Sequence, residues 1–590
     1  MDDQNKNLIL ATALSFIVIL IWFVLFPPPD VTEPAPTAEV TSTDGTTLGV
    51  DAQVPTQVAV LPPLSAEDAI ADAPRIMIDS ENLTGSLSLT GGRIDDLSLK
   101  DYRVTLDSDA DLVRLLSPIG TEAPYYALNG WVAAVGATAD QVPGASTQWQ
   151  LESGDTLEPG SDITLIWDNG AGLTFRKTFA VDENFLFTVT QTVENSTGAE
   201  IALRPYGLVA RHGEPDQIGF FIQHEGVVRM SDGSMEEINY GDMPDLTSDE
   251  GRIEVEENGW IGFSDQYWMT ALIPTPGRDF RSTAKFANNI YQIETVYPLT
   301  TVASGATASA ETQFFAGAQE WVVIRSYQDD LGIDRFLDSI DWGWFFFLTK
   351  PIFAVLHWLN GLIGNMGWSI ICLTFVIKAL LLPLAYKSYV SMAKMRELQP
   401  EMAKLKEAAG DDREKLQKGM MSLYKENKVN PASGCLPILM QIPIFFSLYK
   451  VIFVTIELRH APWIGWINDL SAPDTSTLYN LFGLLPWGAP APDSILALVF
   501  IGVMPIVLGI SMWLQQKLNP APTDPTQKMI FAWMPWVFMF MLGSFASGLV
   551  LYWIANNTIT FMQQYAIMRS QGFKPDLFGN ITGRKDSDPE

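Results

Sequence analysis

Charge is divided so unevenly along this chain that its two halves require two different solvents. Residues 30–341 hold 50 Asp and Glu against 16 Lys and Arg, a net of −34. Residues 342–590 hold 16 acids and 20 bases, a net of +4, and residues 1–29 supply the remaining −1 of the total of −31. An acidic, water-soluble half is therefore joined to an apolar half poor in charge. This division disfavours a cytosolic enzyme. It also disfavours a nucleic-acid binder, because no stretch has the basic excess that phosphate neutralisation needs. Cys372 and Cys435 lie in apolar runs and read as small buried hydrophobes. No disulfide framework holds the acidic half.

The apolar half and the N-terminus contain runs long enough to cross a bilayer, for which a helix needs about 20 residues. Leu8–Phe26 is one, interrupted only by Thr12 and Ser15 and followed by Pro27-Pro28-Pro29. It exceeds a signal-peptide core and lacks a small-residue cleavage site, so it reads as an uncleaved anchor within 1–29. Trp368–Tyr386 is the second span, within 366–387. Within 432–570 follow Leu436–Leu458, Ser494–Leu514, Met529–Leu542 and Leu549–Ile567, the last two joined as a tight hairpin through Gly543–Gly548. That makes six. Trp342–Ile363 is dense in aromatics but contains Lys350-Pro351 and His357, which suits amphipathic interfacial helices over 329–365; a seventh span is the alternative. Residues 387–428 carry ten Lys and Arg, placing that loop in the cytoplasm by the positive-inside rule. Both termini, including the tail 571–590, then lie inside, and 27–341 lies outside.

The outer part begins with a Pro/Ala/Thr-rich tether over 30–74, expected to be disordered. From about 75 to 328 the period changes to two. Leu83–Thr90 and Arg93–Leu99 read as a hairpin about Gly91-Gly92, and Phe175–Phe179 and Phe185–Thr190 as another about Asp182-Glu183-Asn184. Many short strands with Gly/Asn/Asp turns argue for a β-sandwich. Its one His/acid cluster is His212, Glu214, His224 and Glu225. The spacing fits no zinc signature or nucleophile elbow, so the histidines read as solvated loop residues. No catalytic, metal or cofactor site is expected, and no enzyme.

The cytoplasmic segment 388–431 reads as two helices about Gly410, with Pro400 kinking the first. Met392, Met395, Leu398, Met402 and Leu405 form one apolar stripe; Leu416, Met420, Leu423 and Tyr424 form another. The pair either zips together as an inert connector or serves as a docking arm, in which Met392, Met395, Arg396, Met402, Met420 and Tyr424 meet partners.

Lys378 decides most. It is flanked by Phe375-Val376-Ile377 and Ala379-Leu380-Leu381-Leu382, where a central Lys costs about 2.5–3.5 kcal/mol. Snorkelling would have to cover the distance to Tyr386, roughly 12 Å at 1.5 Å per residue. No acid lies within a span core, so an aqueous cavity is favoured. Thr374 shares its face. Tyr552, Asn556, Thr560 and Gln563 fall on one polar stripe of the last span, and Gln441 lies between two prolines of another. Three spans presenting polar groups describe a groove lined for water and polypeptide. A proton- or solute-coupled transporter titrating Lys378 is the alternative, although such folds usually show internal repeats and a paired acid.

Several runs carry a resemblance: Ser391-Met-Ala-Lys-Met-Arg396 with Leu398-Gln-Pro; Gly410-Asp-Asp-Arg; Tyr424-Lys-Glu-Asn-Lys-Val-Asn-Pro431; Gly434-Cys-Leu-Pro with Gln441-Ile-Pro-Ile-Phe; Glu457-Leu-Arg-His-Ala-Pro; and Ser547-Gly-Leu-Val-Leu-Tyr-Trp. Over about 330–570 the chain resembles the YidC family of membrane-protein insertases, relatives of the Oxa and Alb proteins. The anchor, tether and β domain resemble its Gram-negative form. The resemblance implies a polytopic α-helical membrane protein with six transmembrane helices, five forming the insertase core, plus a periplasmic β-supersandwich, in the bacterial inner membrane. It implies a hydrophilic groove open to cytoplasm and lipid. Nascent membrane proteins, the Sec translocon with its accessory subunits, membrane lipids, and ribosome or signal-recognition components at the cytoplasmic loops are the implied partners. Where the family usually has Arg in the groove, this chain has Lys378, which keeps the charge and loses the bidentate fork. The long basic tail of some members is absent from 571–590, where Lys574, Arg584 and Lys585 face four acids.

Overall fold

A computed structural model describes residues 63–572, apart from 72, 216–222, 411, 428, 430–435, 483, 488–489, 491–493, 495, 497–498 and 520–524. The expected anchor Leu8–Phe26 and the tail 573–590 lie outside the described residues. Of the expected tether, the described part includes a short helix, α1 (Ala66–Ala71), so its last residues are ordered against expectation.

Period-two patterning builds the next 250 residues into two sheets of eleven and nine strands. In the first, Tyr125–Val135 lies between Ile201–His212 and Arg93–Arg103; in the second, Leu186–Asn195 lies between Leu173–Val181 and Thr307–Ala318. Both expected hairpins form: Leu83–Ser88 pairs with Arg93–Arg103, and Leu173–Val181 with Leu186–Asn195. In the second turn Asp182 Oδ1 accepts from the backbone N–H groups of Asn184 and Leu186, both at 2.9 Å. This carboxylate mimics a backbone acceptor, as Asp does in turns. His224 departs from the expected solvated loop. It is buried, with its ring nitrogens 3.1 Å from Asn239 Oδ1 and 3.0 Å from the Val227 carbonyl oxygen. His212 is half-buried beside the Tyr126 ring.

On the strand Leu173–Val181 every second residue faces the core, and Lys177 occupies one of these inward places between Phe175 and Phe179. Its ammonium donates to the Gly91 carbonyl oxygen at 2.9 Å and lies 4.7 Å from the Trp149 ring centroid. Burial, and secondarily the Arg93 charge, push its pKa down to about 7. The folded domain releases a proton that the unfolded chain keeps up to about 10.5. Its stability contribution is therefore present above that value and lost as pH falls toward 7. Relative to Lys177→Met, the wild-type β domain should unfold at progressively higher temperature from pH 7 to pH 9. Parallel profiles in the two proteins would refute this.

Three elements connect the β domain to the helices: α2 (Trp321–Leu331), a 3₁₀ turn at Phe336–Ser339 and α3 (Phe346–Ile363). The indole of Trp260, fully buried, donates to the Asp334 carbonyl oxygen at 2.9 Å and packs edge-on against Phe336. Trp344, Phe346, Phe347, Trp358 and Leu362 are exposed along α3 and before it.

The remaining helices are α4 (Met366–Leu380), α5 (Leu382–Glu397), α6 (Gln399–Ala409), α7 (Arg413–Glu426), α8 (Leu436–Val454), α9 (Val503–Lys517), α10 (Pro525–Met541) and α11 (Ser547–Ser570). Proline and glycine make them differ from the expected straight spans. The expected Trp368–Tyr386 breaks at Leu381, before Pro383, into α4 and α5 bent by 68°. The expected Ser494–Leu514 is not one straight helix: Leu496 and Val499 are helical, and α9 begins anew at Val503 after Gly502. Among the described residues α3 alone is long and apolar enough to cross a membrane by itself, and α4 with α5 would be a second, broken span. Among the described residues helix length thus does not reproduce the five spans expected there, and it singles out a segment expected at the interface. Nor do α10 and α11 form a packed hairpin: α10 lies on α9, where Gly509 faces Met539, while α11 packs against α4, α5, α8 and α9.

In the segment 388–431 Pro400 sits in the first turn of α6, where a missing N–H costs nothing, so the break falls at Leu398 rather than mid-helix. Gly410, at φ +56°, ends α6 as expected.

Candidate functional site

The polar groups expected in the helices are partly brought together around Lys378. Asn365 starts α4 by accepting from the Trp368 N–H at 3.1 Å, and Gly367 leaves room for the Trp463 ring. Three turns later the Lys378 ammonium donates to Gln441 Oε1 of α8 at 3.1 Å. The Gln441 amide in turn donates to the hydroxyl of Tyr552 on α11. Gln563, about three turns further along α11, donates to the Lys378 carbonyl oxygen at 3.4 Å. Lys378, Gln441, Tyr552 and Gln563 therefore form one chain across three helices. Among the described residues no carboxylate pairs with the ammonium.

Three expected residues lie nearby but are used differently. Thr374 Oγ1 donates to the Ile370 carbonyl oxygen at 2.7 Å, and Thr560 Oγ1 to that of Asn556 at 2.6 Å, both within their own helices. The Asn556 side chain is buried, and its Oδ1 has no hydrogen-bond partner among the described residues. A buried oxygen without a donor costs about 1–3 kcal/mol, so this acceptor is available to water or a polar group.

Asn557 and Gln564 were missed. Asn557 donates to Ser511 Oγ at 3.1 Å, and Gln564 to the Leu518 carbonyl oxygen at 3.2 Å, fastening α11 to α9. Their spacing of seven residues, two helical turns, was a legible signal of a second polar stripe.

The outer end of this helical group is tied by the loop 469–476. Ser547 and Gly548, which begin α11, donate their N–H groups to the carbonyl oxygens of Ala472 at 2.7 Å and Leu470 at 2.8 Å. Asp474 Oδ2 accepts from the Met504 N–H at 2.8 Å, near the start of α9, and Oδ1 from the Trp466 indole at 2.9 Å. The loop thereby satisfies otherwise unpaired helix N-terminal donors.

In the segment 388–431 Met402 is buried with Leu398, Leu423 and Val429, and Met395, Met420 and Tyr424 pack on that cluster. The Tyr424 hydroxyl reaches Met402 Sδ at 3.8 Å. These side chains join α6 to α7. Met392 is half-buried on α5, and the Arg396 side chain lies outside the described residues. No group of three or more His, Cys, Asp or Glu among the described residues is placed to hold a metal.

Comparison with known proteins follows the same division. Residues 358–574 match the family described as 60Kd inner membrane protein, and residues 75–355 match the YidC periplasmic domain. The fold and the polar helical interior thus define an inner-membrane protein with a periplasmic all-β domain. Proteins named membrane protein insertase YidC from Ruegeria pomeroyi and Dinoroseobacter shibae are each 63% identical, with 98% of this chain and 98% of each relative covered. The chain belongs to the YidC family of membrane-protein insertases. A solved structure of an active YidC insertase covers 83% of this chain and 92% of its own, at 17% identity and a TM-score of 0.35. The transporter alternative finds no support in these relatives.

Proposed function

We propose that this insertase works through a hydrophilic groove whose cation is Lys378. The observation that carries the reading is the Lys378–Gln441–Tyr552 chain: a half-buried ammonium held by a neutral carboxamide oxygen keeps its charge unspent. A carboxylate partner would consume that charge; an amide leaves it to attract an acidic flank. The hydrophobic segment of a client slides along the lipid side while its short polar flank enters beside Lys378, Gln441, Tyr552, Asn556, Thr560, Gln563 and Thr374. Water and hydrogen-bonding groups shorten the hydrocarbon distance that polar backbone must cross, and that distance sets the barrier. The chain has no nucleotide-binding loop of the G-x-x-x-x-G-K-[ST] form. Partitioning and the membrane potential, about 2.3 kcal/mol per charge per 100 mV, supply the work.

In this reading six spans cross the inner membrane, five of them in the core, with both termini cytoplasmic and the broken or short helices packed where protein replaces lipid. The chain acts alone or with the Sec translocon. The cytoplasmic hairpin meets ribosome or signal-recognition components, and no cofactor or catalytic step is involved. A photo-crosslinker at Gln563 should capture a nascent membrane protein during insertion, whereas one at Met77, exposed on the β domain, should not. Equal capture at both positions would sink the groove reading.

A further inference from the structure

Among the polar residues of helix α8 are Gln441, which receives Lys378, and Lys450, about 13 Å further along at 1.5 Å per residue. Lys450 is 6% exposed, and its ammonium is paired with the carboxylate of Asp341. That carboxylate also accepts the His224 backbone N–H at 2.9 Å and the Gly343 backbone N–H at 3.0 Å. Its three donors come from the membrane helix, the β domain and the connecting segment. Gly343 adopts φ +69°, and a Cβ there would lie 2.9 Å from Lys450 Cε, so the connector is shaped to let the lysine stem pass. Gln266 of the β domain adds a bond to the Phe453 carbonyl oxygen at 2.9 Å, at the same helix end. Arg459, just beyond, donates to the Arg103 carbonyl oxygen at 2.6 Å and lies over the Trp268 ring.

We infer that Asp341 and Lys450 are positioning residues for the groove: through this joint the β domain holds α8 at the angle that presents the Gln441 carboxamide to Lys378. The inference rests on the groove reading above. Apolar side chains would cement the two parts at lower desolvation cost. A buried ion pair does something different, since both charges are satisfied in only one geometry, and removing one partner leaves the other uncompensated. Between the two ends of α8, Phe445 stacks on Trp553 of α11 with ring centroids 4.6 Å apart. That contact reports whether α8 keeps its place.

The test uses the full-length protein and two clients that differ only in an acidic or an uncharged flank. Lys450→Met and Asp341→Asn should each lower insertion of the acid-flanked client by about fivefold and of the other by less than about twofold, the size expected of residues that modulate a site from a distance. Lys450→Arg should stay near wild type. In a background with Cys372 and Cys435 replaced by Ser, thiol crosslinking of Phe445→Cys with Trp553→Cys should fall on adding Lys450→Met and persist on adding Lys450→Arg. Equal losses for both clients with unchanged crosslinking would overturn the inference, leaving the pair a purely structural tie; so would no loss at all. If Asp341→Asn is not produced at wild-type abundance, the contrast between Lys450→Met and Lys450→Arg decides. Lys378→Ala serves as the reference. Should it fail to discriminate the clients, the groove reading falls, while the crosslink still tests the joint by itself.

Discussion

Lys378→Glu should lower insertion of an acid-flanked client at least tenfold, while Lys378→Arg stays within about threefold of wild type. At about 8 Å and an effective dielectric near 20, opposite unit charges attract by about 2 kcal/mol, and reversing one charge doubles the difference. About 1.4 kcal/mol already corresponds to a factor of ten. The Gln441 carboxamide keeps a donor for the new carboxylate, because its amide group can turn toward position 378, so the variant retains a local partner. The loss should shrink for clients with a basic flank. Reconstituted vesicles with one client of each kind give the measurement, and indifference to the sign at position 378 would remove charge attraction from the mechanism.

The second large effect concerns stability. Trp260→Ala should destabilise the β domain by about 3–5 kcal/mol, the usual cost of emptying a large aromatic site in a packed core. Trp260 is fully buried, and its indole holds the connector at Asp334 and packs on Phe336. For a domain of this size the cost corresponds to a fall of roughly 10 °C in unfolding temperature. Trp260→Phe keeps most of the packing and loses one hydrogen bond, worth about 1 kcal/mol. A thermal unfolding series on the three proteins checks the order; similar midpoints for wild type and Trp260→Ala would contradict it.

The two parts of the chain were not equally legible. Alternation in Leu173–Val181 and the Asp182-Glu183-Asn184 turn specify their hairpin locally, so strand, turn and partner could be read from residues near one another. The same alternation puts Lys177 on the inward face with Phe175 and Phe179, but what receives an ammonium there was not legible, because Trp149 and the Gly91 carbonyl are distant in sequence. In the helices, composition pointed to apolar runs but not to their breaks, because Pro383 bends a helix and Gly502 interrupts one without altering hydropathy. The meeting of Lys378 with Gln441 and Tyr552 needed three-helix packing; the stripe on α11 pointed to it, although Thr374 and Thr560 spend their hydroxyls on their own backbones. Lys450 interrupts an otherwise apolar run of α8. Its carboxylate comes from the connector, 109 residues away in sequence, where no pattern in the helix could announce it.

The Asp474 staple has a bearing on how sequences of this kind can drift. A Cβ at Gly502 would lie 2.5 Å from Asp474 Oδ2 and 2.6 Å from the Ser476 carbonyl oxygen, so no larger residue fits while the carboxylate reaches the Met504 N–H. Replacing Asp474 alone leaves that donor and the Trp466 indole without their acceptor. Position 502 is thus closed twice, by a side chain and by the Ser476 backbone carbonyl, so a change at Asp474 alone does not open it to a larger residue.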